Sequence, residues 1–193
     1  MKNVVIYLFD GVQLTDFAVP ADALDVANQL LKKEFYKIHY CSTAPSSLVK
    51  ASANMQIKTR FWPESKPVDL LIFPGAHPTV IKSTLEINKT FMDMKRISSL
   101  SSEYCSACNG AFFMAELGLL KGKAATTHWM EQKRLQDEFP DILVKDDILF
   151  THDENIWTSA GMMSGLDMIL AIIGRDHGTK FALQVARTMV VYL

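Results

Sequence analysis

The chain has 193 residues, 49% of them hydrophobic and 21% charged, with a formal net charge of −1. That length suits one domain with a full core, and the charge includes no basic block of the kind that grips nucleic acid or an anionic membrane. No apolar run approaches the ~20 residues of a membrane span, Met1 to Phe9 is too short for a signal peptide, and three cysteines (Cys41, Cys105, Cys108) without a paired framework suit a reducing cytoplasm.

Val4 to Phe9 is an unbroken apolar run and reads as a buried strand, turned by Asp10-Gly11. From Leu14 to Leu31, Phe17, Leu24, Ala27 and Leu31 recur at helical spacing, with Pro20 marking a first turn or a break before the main helix. Lys37 to Ser42 alternates as a second strand, and Ala53 to Arg60 as a peripheral hairpin strand. Asp69 to Phe73 is a third buried strand, broken by Pro74-Gly75-Ala76; Glu86 to Ser98 is helical. Glu103 to Ala107 leads into a corner, and Asn109 to Leu117 is a helix stopped by Gly118. A short strand, Lys123 to Thr127, precedes a helix from His128 to Phe139. Ile156 to Ser159 is a strand ended by Ala160-Gly161, and helices over 165–173 and 178–191 close the chain. Strands alternating with such helices predict an α/β fold, a parallel sheet with helices on both faces, in a single domain spanning 1–193. No internal repeat or linker interrupts it. Ligands of such sheets bind at the carboxyl ends of the strands. There the turns at Asp10-Gly11, Pro74-Gly75-Ala76, Cys108-Asn109-Gly110 and Thr158 to Gly161 are expected to meet in one pocket.

The most informative stretch is Glu103 to Met114, which passes from strand through a small-residue corner into an apolar helix. That is the pattern of a nucleophile elbow, with Cys108 at its tip and Ala107 and Gly110 leaving room for a strained turn. A helix N-terminus aimed at Cys108 favours a thiolate. Asp16, beyond the first strand's carboxyl end, is placed to orient the sulfur or shuttle a proton, although an aspartate early in a helix also simply complements the dipole. Backbone N–H groups of Gly75 and Asn109 are candidates for an oxyanion hole, with Ala76 and His128 beside them; His128 is a candidate base or a packed structural histidine. His77 is a weaker candidate, and His39, His152 and His177 read as surface or turn residues. Met114, Met162, Met163 and Met168 read as core, though Met162 and Met163, with Phe17 and Phe112, also suit an apolar pocket wall. Cys105 and Cys108 form a Cys-x-x-Cys, but no second pair of metal ligands lies near it, so no metal and no cofactor is expected.

In combination, these residues resemble the DJ/ThiJ/PfpI superfamily over essentially the whole chain. The anchors are Val4 to Val12, Asp16 to Pro20, Phe73 to Ala76, Ser106 to Ala111, Ala125 to Trp129 and Thr158 to Gly161. The resemblance implies a class I glutamine amidotransferase-like, flavodoxin-like three-layer α/β/α sandwich and a homodimer. Two branches are most similar. The first is the amino-terminal, ligand-sensing domain of AraC-type, GlxA-like transcriptional regulators, matched by Ala111 to Trp129 and by Val185 to Val191. This branch implies a small-molecule ligand and contact with DNA only through helix-turn-helix units beyond this chain. The apolar ending Met189 to Leu193 reads as a stop just before a linker to them. The second branch is the isocyanide hydratases, in which a cysteine at Cys108 and an aspartate at Asp16 add water to an isonitrile. Asn109 stands where PfpI-type peptidases carry histidine, which argues against protease activity. Asp16 stands where glyoxalase-like members carry glutamate, and Val19 and Asn109 depart from the usual hydratase residues. A redox-responsive Cys108 is compatible with either branch.

Overall fold

The structure, a computed structural model, describes residues 1–44 and 47–191. Tyr192 and Leu193, the end of the apolar terminus, lie outside the described residues.

β1 (Lys2–Tyr7), β2 (Tyr36–Cys41), β5 (Leu70–Phe73), β6 (Tyr104–Ala107) and β10 (Ile156–Ser159) run parallel in one sheet. Its order is β2-β1-β5-β6-β10-β9, and β9 (Phe150–Asp153) closes the edge antiparallel to β10. The centre of the sheet is fully apolar because both faces are covered: Val4, Val5, Ile6, Leu71 and Ile72 are inaccessible to solvent. α1 (Leu14–Leu31), α6 (Met163–His177) and α7 (Thr179–Thr188) pack on one another in one layer. α2 (Pro78–Glu86), α3 (Asn88–Ser99) and α4 (Ala111–Glu116) pack in the other, with α4 against β5 and β6. The protein is therefore a mostly parallel three-layer α/β/α sandwich. Among the described residues no helix is long and apolar enough to cross a membrane.

Several elements differ from the sequence reading. α1 continues through Pro20, which forfeits only the hydrogen bond to the Asp16 carbonyl and packs as a buried residue. The helical segment around residue 86 is two helices divided at Ile87, and β9 carries too little alternation to stand out. The strand around Ala124 does not join the main sheet. It is β7 (Ala124–Ala125), paired with β8 (Leu143–Val144) in a separate parallel ribbon. β3 (Leu48–Lys50) and β4 (Gln56–Lys58) form the peripheral hairpin. The helix after His128 begins as a 3-10 turn, Trp129–Glu131, before α5 (Gln132–Glu138). His39 is buried against Trp62 and bonded to Arg60 rather than on the surface. His177 packs among Phe35, Tyr36 and Phe181. Met114 and Met168 are core, but Met162 and Met163 are 48% and 59% exposed, because they sit on the corner between β10 and α6.

Candidate functional site

Cys108 stands at the carboxyl end of β6, the first residue of a 3-10 turn, Cys108–Gly110, that runs into α4. Its φ is +53°, a left-handed conformation that a side-chain-bearing residue adopts only where its surroundings force it. Two neighbouring glycines provide that enclosure. A Cβ on Gly75 would lie 2.7 Å from Cys108 Cβ and 2.8 Å from an Asp16 carboxylate oxygen. A Cβ on Gly161 (φ +102°) would stand 2.8 Å from Cys108 Cα and collide with its Cβ. Thr127 Oγ1 donates to the Cys108 carbonyl at 2.9 Å and so pins the backbone of the elbow.

Asp16, in the first turn of α1, has no solvent exposure. Its carboxylate accepts from Met162 N–H at 2.7 Å and from Gly75 N–H at 3.2 Å, and the Cys108 thiol donates to it. Met162 is itself at φ +50°, so both the residue carrying the sulfur and the one holding the carboxylate are in a constrained backbone. Burial raises the Asp16 pKa, against the Met162 and Gly75 N–H groups, the thiol and the nearby His128, all of which lower it.

The Cys108 thiol is pushed up from 9.0 to about 12, first by burial and then by the Asp16 carboxylate, with the Asn109 N–H pulling the other way. The sequence predicts a thiolate here; burial and the Asp16 carboxylate push the thiol pKa in the opposite direction. α4 has only six residues and starts three positions after the sulfur, so the macrodipole is short and loses to desolvation and a like charge.

Six predicted residues therefore sort as follows. Cys108, Asp16, Gly75, Asn109 and Ala76 form one hydrogen-bonded cluster: Asn109 Nδ2 donates to the Ala76 carbonyl at 3.1 Å, tying the elbow to the strap after β5. The Gly75 N–H is turned to Asp16, so that candidate oxyanion donor is engaged in the resting state. His128 is half-buried at the rim; its Nδ1 accepts from Met130 N–H, and it touches the pair only through its field on Asp16. The sequence reading has Met162 only as core or pocket wall and does not single out Thr127. The first acts through a backbone N–H that no side-chain pattern reveals. The second lies inside the Thr126-Thr127-His128-Trp129 run, where the histidine drew attention first. All three cysteines are free, Cys105 is buried in β6, and among the described residues no cluster of three or more His, Cys, Asp or Glu is placed to hold a metal ion.

Residues 2–175 match the DJ-1/PfpI family. The chain is 28% identical over 190 residues to the HTH-type transcriptional regulator GbdR of Pseudomonas aeruginosa, which is 98% of this chain but 50% of that protein. It is 30% identical over 187 residues to the isonitrile hydratase of Pseudomonas putida, covering 92% of this chain and 75% of that enzyme. In structure it superposes on an AraC family transcriptional regulator from Pseudomonas putida with a TM-score of 0.83 and 20% identity, over 98% of this chain and all of that one. The chain spans about half the length of the GbdR-type relatives it matches.

Proposed function

The chain belongs to the DJ-1/PfpI family, and we propose that it is the ligand-sensing domain of an AraC-type transcriptional regulator, which holds a small metabolite over the Cys108–Asp16 pair. The observation that carries this reading is the enclosure of that pair: Asp16 has no solvent exposure and accepts from two backbone N–H groups of distant segments. A nucleophile poised for attack benefits from a lowered pKa or an adjacent base; here burial and the Asp16 carboxylate push the thiol pKa up, and two backbone N–H groups already hold that carboxylate. Such a site is better suited to recognition than to turnover. Because Asp16 joins α1, the β5 strap and the corner before α6, an occupant that displaces one of these bonds shifts the balance between conformations of three elements at once. Contact with DNA then runs through a further domain, the working unit is a homodimer, and the compartment is the cytoplasm.

A second reading, hydration of an isonitrile, is favoured by the 30% identity to that enzyme and by the pairing of Cys108 with Asp16. In that reading Asp16 takes the thiol proton as sulfur attacks the isonitrile carbon and passes it to that carbon, giving a thioimidate; water then adds to the same carbon, and the C–S bond breaks to release the N-formamide and the Cys108 thiol. One experiment separates the two: incubate the protein and its Cys108→Ala variant with an alkyl isonitrile and follow N-formamide by mass spectrometry. The sensor reading expects no difference between the two proteins. Formamide produced over many turnovers by the parent alone would make the chain a hydratase.

A further inference from the structure

A concavity lies apart from the Cys108 cluster, between α2 and α3 on one side and α4 and α5 on the other. Its volume is about 610 Å³, within the range of small-molecule pockets. None of the residues lining it hydrogen-bonds Cys108 or Asp16.

Its wall combines aromatic surface with unused charge. Phe91 and Leu85 supply the apolar floor, and the Arg134 guanidinium lies 4.5 Å from the ring centre of the buried Phe112. Arg134 is already committed, to Glu131 at 2.9 Å and to Glu138 at 2.8 Å, so it serves as a fixed lid on that ring. Three other charged residues of the wall are not committed. Lys82, Glu86 and Glu116 make no hydrogen bond or ion pair among the described residues. Lys82 and Glu86 stand one turn apart on α2, and Glu116 ends α4.

We infer that this cleft is a second ligand site and that it takes an α-amino acid with an apolar or aromatic side chain. The ammonium group is matched by the Glu86 and Glu116 carboxylates, the carboxylate by Lys82, and the side chain by Phe91 and Leu85. Other classes fit less well. A wholly apolar ligand desolvates three charges and pairs none of them. An anion meets Glu86, Glu116 and Glu138 with only Lys82 uncommitted.

The test uses L-phenylalanine as the probe, with its two halves, phenethylamine and hydrocinnamate, as controls, each titrated against the chain by thermal shift. Phenylalanine is expected to raise Tm saturably, with each half-ligand about tenfold weaker. Lys82→Ala and Glu116→Gln, both at exposed positions, are each expected to weaken phenylalanine about tenfold, while Cys108→Ala binds it as the parent does. Absence of a saturable shift, parent-like binding in either charge variant, or loss of binding in Cys108→Ala overturns the assignment. The last of these would place the occupant at Cys108 instead.

Discussion

At the scale of single residues, the candidate site centres on the Cys108 thiol and the buried Asp16 carboxylate. Asp16 raises the Cys108 pKa through its charge and through the hydrogen bond it accepts, and only burial contributes more. Asp16→Asn removes both effects and keeps an oxygen for the Met162 N–H, while its amide NH2 gives up the bond from the Gly75 N–H. Iodoacetamide should therefore label Cys108 of the Asn variant several-fold to about tenfold faster than the parent near neutral pH, since one pKa unit is tenfold in thiolate. Intact mass after brief labelling reads the result. Slower labelling in the variant would show instead that Asp16 acts as the proton acceptor during attack. Cys108 and Asp16 were both legible in the sequence, because an elbow and a polar residue beyond a strand end are local patterns. The protonation state was not, since it depends on how much water the folded site excludes.

At the scale of elements, α3 is held to the sheet by a buried polar contact as well as by Met94 and Ile97. Asp93 accepts from the Tyr7 hydroxyl of β1 at 3.1 Å and from Arg96 at 2.7 Å, and Arg96 reaches on to the Trp62 carbonyl at 2.8 Å. Removing the carboxylate strands a buried hydroxyl and a guanidinium together. Asp93→Ala is expected to destabilise by about 2–4 kcal/mol, somewhat under the range for a fully buried pair because the Arg96 side chain is 22% exposed. Urea unfolding would measure it, and a change below ~0.5 kcal/mol would mean that water replaces the contact. Strands were read most reliably at this scale. β1, β5, β6 and β10 are buried on both faces and show as plain apolar or small-residue runs, whereas β9 lies at the sheet edge and alternates too briefly to register.

At the scale of the whole molecule, burial of weak acids ties stability to pH. Cys41 and Cys108 both rise from 9.0 to about 12, burial being the largest cause in each, and Tyr7 is raised for the same reason. The native state thus holds these protons more tightly than the unfolded chain does. The stability they contribute is complete below about pH 9 and is lost as pH climbs towards 12, at up to about 1.4 kcal/mol per pH unit for each thiol. Tm should stay level to about pH 9 and then fall, and Cys41→Ala should flatten the fall; an unchanged alkaline slope in that variant would remove the thiol from the account. The sequence by itself determined the α/β class, the strands of the sheet's interior, the elbow and the polar turns at the strand ends, because each is written in a local period or in the stereochemistry of a few adjacent residues. Only the tertiary structure decided that β7 leaves the main sheet, that Met162 lends a backbone N–H to Asp16, that burial pushes the thiol pKa up, and that Lys82, Glu86 and Glu116 surround one cleft. Each of these depends on which distant segments meet and how much water they expel, and no local pattern encodes that.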